Sequence, residues 1–151
     1  MLFSSRESTK TNYNNRIDAL FNGKPANREG ITVLDKSDVL DMLGHGGKPV
    51  ILAEGKVIAG QTNHKLTPEH WKKIPEWLEN PAAVFDSDTV KGSLVFIAPE
   101  SFSGAPIRMI VVPNAKQGSL EIHMLANSYD AQIKAPTARW VREGLLRYIE
   151  K

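Results

Sequence analysis

Short helices leading into a four- to five-stranded antiparallel sheet, closed by a C-terminal helix, form the α+β fold that this 151-residue sequence predicts. Three observations carry that expectation. Up to Asn80 short segments of helical spacing alternate with short apolar runs; from Ala82 to Ala126 the period is two; from Thr137 it is helical. One domain is expected, because a chain of this length with 41% apolar residues fits a single core of ordinary size.

Met1 to Tyr13 is rich in Ser, Thr and Asn without an apolar period, and reads as a flexible lead or linker end, which places the domain at residues 14–151. Ile17, Leu20 and Phe21 then share one side of a short helix that Gly23 and Pro25 end. Ile31 to Leu34 is a β-branched run, and Asp35 to Leu43 a short helix whose exit, GHGGK (Gly44 to Lys48), reads as a C-cap and turn. That loop lacks the Lys-Ser/Thr ending of a phosphate-binding P-loop. Val50 to Glu54 and Lys56 to Ala59 read as a hairpin turning at Glu54-Gly55.

Thr67 is a good N-cap, Pro68 suits the first helical position and Glu69 the positive end of the helix dipole, so a helix starts there. Trp71, Ile74, Trp77 and Leu78 share its apolar side, and Pro75 predicts a kink or a division into two short helices. Four strand-like runs come next, at Ala82 to Phe85, Ser93 to Ile97, Ile107 to Val112 and Leu120 to Ala126, separated by turns rich in Asp, Ser, Gly, Pro and Asn. Trp140, Val141, Leu145 and Ile149 give the last segment one apolar side, as in a closing helix.

Composition narrows the chemistry. There is no cysteine, so neither disulfides nor thiolate chemistry enter. The net charge of +2 is far from that of a protein holding duplex DNA by phosphate neutralisation. The first sixteen residues have no apolar signal core and no apolar run reaches spanning length, so neither a signal peptide nor a membrane partner is expected. The four histidines show no HExxH pair, there is no GxSxG elbow and no dinucleotide fingerprint, and neither metal nor cofactor is expected.

An acid-base constellation remains. Glu121 and His123 lie two apart on one strand, with Arg108 expected beside them from the neighbouring strand. A carboxylate, an imidazole and a guanidinium on one sheet face suit metal-free cleavage of RNA; the same residues also suit a solvated face. His64 and Lys65 precede the capped helix, in what reads as a turn without a structural task. Asn127, Ser128 and Tyr129 come directly after the last strand, where two hydroxyls and an amide suit either a ligand site or a turn.

Three stretches carry a family resemblance: NHKLTPEHWKKIPEWLENPAAVFDS (Asn63 to Ser87); GSLVFIAPE (Gly92 to Glu100) with PIRMIVVPNA (Pro106 to Ala115); and ANSYDAQ (Ala126 to Gln132) ahead of RWVREGLLRYIEK (Arg139 to Lys151). From Val50 onwards the chain resembles the nuclease-like domains at the C-termini of MuF-type phage proteins, in polymorphic toxins and in large polyvalent proteins, a group that includes barnase, EndoU, colicin-type tRNases and RelE-type interferases. The resemblance implies an RNA-cleaving toxin or effector working without metal through a 2′,3′-cyclic phosphate, in the cytoplasm of a bacterial target cell. RNA, tRNA included, is the implied substrate, and a cognate immunity protein an implied partner. His64 falls at the basic position before the first core helix, and Ser128 with Tyr129 near the position of a Ser-x-Tyr-like pair.

The assignment expected from residues and resemblance together makes His64 the general acid or base, with Glu121 and His123 as alternatives. Lys65 and Arg108 stabilise phosphate charge, with Lys134 as a further basic contact, and Asn127, Ser128 and Tyr129 orient substrate. Two other readings are an ADP-ribosyltransferase-like toxin, against which the absence of any Glu-x-Glu counts, and a non-catalytic phage or plasmid module that binds protein.

Overall fold

A computed structural model describes residues 5–25, 29–64, 66–101, 106–129 and 135–149, with the side chains at 5–6, 60–64, 101 and 129 outside the description. The period-two runs all become strands, and three further strands join them. The described elements are α1 (Ser5–Phe21), β1 (Ile31–Leu34), α2 (Asp38–Met42), β2 (Val50–Leu52), α3 (Glu54–His64), α4 (Pro68–Glu79), β3 (Ala83–Asp86), β4 (Leu94–Ser101), β5 (Pro106–Gln117), β6 (Leu120–Tyr129), α5 (Thr137–Arg142) and β7 (Leu146–Ile149). One sheet holds all seven strands in the order β1-β2-β6-β5-β4-β3-β7.

The α+β class is as expected, but the sheet differs from a four- to five-stranded antiparallel one. It has seven strands, and β2 runs parallel to β6, with Val50 opposite His123 and Leu52 opposite Leu125. The hairpin expected at Glu54-Gly55 is instead the start of α3. The C-terminal helix stops at Arg142; Gly144 adopts φ 78°, which an L side chain rarely takes, and the chain returns as β7 to pair with β3. The sheet is thus finished by a strand rather than closed by a helix.

Alternation along the strands builds two cores. Val84, Phe96, Met109 and Leu125 face the larger one, with Tyr13 and Ile17 of α1 and Trp71, Ile74 and Trp77 of α4. Phe85, Val95 and Ile97 face the smaller one with Trp140 of α5, whose indole N–H donates to Asp88 (2.9 Å). The lead expected over residues 1–13 is helical from Ser5, and Tyr13 is fully buried.

Helix α4 starts as its sequence dictates: the Thr67 hydroxyl accepts from the His70 amide (3.4 Å) and Pro68 takes the first turn. Pro75 lies inside a helix that stays one element. Having no N–H, it leaves the Trp71 carbonyl, four residues back, without its helical donor. The Tyr13 hydroxyl donates to that carbonyl at 2.6 Å, and burial pushes its phenol well above the usual range. Helices α1 and α4 are therefore complementary at one missing amide.

A candidate acid-base corner

The Gly44 to Lys48 loop begins as a helix end. Gly44 takes φ 89°, its N–H donates to the Asp41 carbonyl (3.1 Å), and the His45 N–H donates to the Leu40 carbonyl (2.8 Å), the reciprocal pair that ends a helix at a glycine. The remainder of the loop is set by the sheet. Parallel pairing of β2 with β6 carries it to the first residues of β6, where the His123 N–H donates to the Pro49 carbonyl (2.9 Å).

From the other side, β5 accommodates one extra residue between Val112 and Ala115, a bulge that presents Asn114 at φ 56°. Asn114 is the one non-glycine residue at positive φ among the described residues. Loop and bulge meet here: Lys48 Nζ donates to Asn114 Oδ1 (2.5 Å), Asn114 Nδ2 lies 3.2 Å from His45 Nδ1, and Lys48 Nζ is 3.6 Å from a Glu121 carboxylate oxygen. Lys48 is three-quarters covered and Glu121 half exposed, so a cation and a carboxylate stand at the surface within reach of each other.

His123 lies under this corner, fully buried. The Asn114 N–H donates to its Nδ1 (3.1 Å), so the neutral ring holds its proton on Nε2 and donates it to the His45 carbonyl (2.6 Å). Burial holds this imidazole below the usual histidine range, partly opposed by the bond to His45 and reinforced by Lys48. Both nitrogens are occupied by backbone, so His123 braces the corner and does not meet solvent.

This burial makes stability depend on pH. Below the ordinary histidine value, about 6.5, the unfolded chain binds a proton at His123 that the folded chain refuses. Stability from this group is therefore complete above that pH and falls as pH drops towards the depressed folded value. Urea midpoints at pH 8 and pH 5 are expected to converge in His123→Gln relative to the parent chain; an unchanged gap removes His123 from the linkage.

The other sequence-predicted residues lie elsewhere. Arg108 is opposite Tyr129, whereas Glu121 is opposite Lys116. Arg108 is thus eight residues along β6 from Glu121, about 26 Å at the usual strand rise, and does not stand beside the Glu121-His123 pair. Ser128, buried, faces α4 and shares a hydrogen bond with His70 Nε2 (2.8 Å), and His70 is itself buried edge-on to Trp71 and Trp77. That pair ties α4 to β6 away from solvent. Asn127 is exposed, and its side chain accepts from the Ser128 N–H (2.9 Å). His64 ends α3 rather than occupying a turn, and its side chain, like that of Tyr129, is outside the description, as are Lys65 and Lys134 entirely.

Sequence reasoning missed His45, Lys48 and Asn114. The glycine-rich loop around the first two was visible, but its partner lies 69 residues from His45. Chemically, the corner offers a carboxylate able to take a proton, an ammonium, and an imidazole held in one orientation. No group of three or more metal-ligating side chains occurs among the described residues. Nor is any described helix long and apolar enough to cross a membrane.

Comparison with protein-family models matches residues 58–151 to one described as the Phage MuF-C-terminal domain. Comparison with curated proteins and with solved structures gave no match.

Proposed function

Because this chain belongs to the phage MuF C-terminal domain family, we propose that it is a metal-independent ribonuclease, a toxin or effector domain whose chemistry occurs at the β2-β5-β6 corner. The observation that carries the reading is the chain from Glu121 to Lys48 to Asn114 to His45, with contacts of 3.6, 2.5 and 3.2 Å. It retains the carboxylate, imidazole and cation expected from sequence, with His45 in place of His123 and Lys48 in place of Arg108.

In this mechanism Glu121 takes the proton of a ribose 2′-hydroxyl, whose oxygen attacks the adjacent phosphorus. The bond from phosphorus to the 5′-oxygen breaks and a 2′,3′-cyclic phosphate remains. Lys48 and the imidazole N–H of His45 stabilise the negative charge that develops on the phosphoryl oxygens. The departing oxygen takes a proton from Lys48, and Glu121 returns the one it took across their contact.

The purified chain is expected to degrade RNA in EDTA, leaving cyclic phosphate ends. Glu121→Gln is expected to slow this at least about 100-fold, and Lys48→Met by about 100- to 1,000-fold. Loss of cleavage in His64→Ala with full activity in Glu121→Gln transfers the chemistry to the end of α3. Intact RNA with the parent chain ends the ribonuclease reading.

A second reading, a module that binds protein without catalysis, draws support from a different surface. An apolar hollow of about 350 Å³ lies between α5 and β3, β4 and β7, with Val141 and Ile149 exposed at its border.

A further inference from the structure

We infer that Asn114 is a positioning residue that fixes which ring nitrogen of His45 holds the proton. An ammonium only donates, so the atom 2.5 Å from Lys48 Nζ is the amide oxygen of Asn114. That leaves the amide nitrogen, itself only a donor, facing His45 Nδ1 at 3.2 Å. Nδ1 must accept, and the neutral imidazole holds its proton on Nε2.

Asn114 is held in place to impose this. Its backbone sits in the left-handed region, which asparagine tolerates better than most side chains. Its N–H is held by His123 Nδ1 (3.1 Å), while His123 Nε2 holds the His45 carbonyl (2.6 Å). One buried imidazole therefore fixes the backbones of both residues, and the Asn114 side chain sets the ring. Lys48 from the same loop, Asp41 of α2, and Glu121 and His123 of β6 supply the charged and titratable surroundings.

The effect of Asn114 on catalysis rests on the ribonuclease reading; the location of the proton does not. The test uses the full chain labelled with ¹⁵N, in which two-bond ¹H–¹⁵N correlations at pH 8 report the His45 tautomer, with RNA cleavage measured on the same samples. Asn114→Gly and Asn114→Asp both accept positive φ and keep the N–H to His123. The parent chain is expected to show His45 protonated on Nε2. Asn114→Gly is expected to show mixed tautomers and cleavage lowered about 100-fold. Asn114→Asp, whose carboxylate accepts, is expected to bring the proton to Nδ1. A parent ring protonated on Nδ1, or an unchanged ring pattern in Asn114→Gly, overturns the inference. Expected ring patterns without cleavage by any sample uphold the positioning and overturn the ribonuclease reading.

Discussion

Replacing Arg16 by Met is expected to cost the fold about 3–5 kcal/mol, more than replacing its partner Glu54 by Gln. The guanidinium of Arg16, on α1, donates from Nε and from a terminal nitrogen to the two oxygens of Glu54, each at 2.7 Å, and to the Pro25 carbonyl at the same distance. Glu54 opens α3 and its side chain is 1% exposed, whereas that of Arg16 is 31% exposed. The asymmetry decides the order. Without Arg16 a buried carboxylate loses the guanidinium that balances it; without the Glu54 charge, the partly exposed guanidinium can be hydrated. Urea unfolding of both variants at pH 7 measures the difference. An Arg16→Met chain within about 1 kcal/mol of the parent would show the pair to act as an ordinary surface ion pair.

The second large effect concerns the segment outside the family match. A fragment of residues 58–151 is expected to show no cooperative unfolding transition, while the full chain shows one. Eleven of the 24 buried members of the larger core, from Tyr13 and Ile17 through Leu52 and Val57, lie before residue 58. Their removal strips β2 from the edge of β6 and leaves that strand's backbone groups without their ladder. It also removes the Tyr13 hydroxyl from the Trp71 carbonyl, together with His45 and Lys48. Circular dichroism through a thermal ramp, with limited proteolysis, provides the measurement. A fragment that melts sharply near the temperature of the full chain would mean that the first third is an accessory to the fold.

Much of the fold was legible where local chemistry decided it. The Thr67-Pro68 start of α4 and the period-two runs of β3 to β6 needed no distant partner, and their elements form where expected. Elsewhere a distant partner decided. Glu54-Gly55 resembles a turn, yet Glu54 opens α3, where its carboxylate accepts from Arg16, 38 residues away. Trp140, Val141, Leu145 and Ile149 suit one helix, but Gly144 ends it and β3 takes Leu146 to Ile149 as a strand. In α1 only Tyr13, Ile17 and Leu20 are buried along its described length, so the first eight positions resemble a linker. The same holds for the candidate site. Glu121 was visible through alternation, but the burial of His123 depends on loop 44–49, and although Pro113-Asn114 marks a break in β5, the importance of Asn114 depends on its partners in that same distant loop.

The parallel pairing of β2 with β6 also orders events in time. In the finished sheet β2 touches only β1 and β6, and Val50 must meet His123, 73 positions further along the chain. A chain emerging from a ribosome therefore exposes β1, β2 and the Tyr13 side of α1 before their acceptors exist. The Trp71 carbonyl arrives 58 residues after Tyr13, and β6 later still. Such distant closures are slow relative to local helix formation. The His45-Lys48 loop can reach its working position only after the Glu121 strand has been synthesised, so no nascent chain that ends before β6 contains the proposed corner, whereas β7 at the opposite edge is added later still.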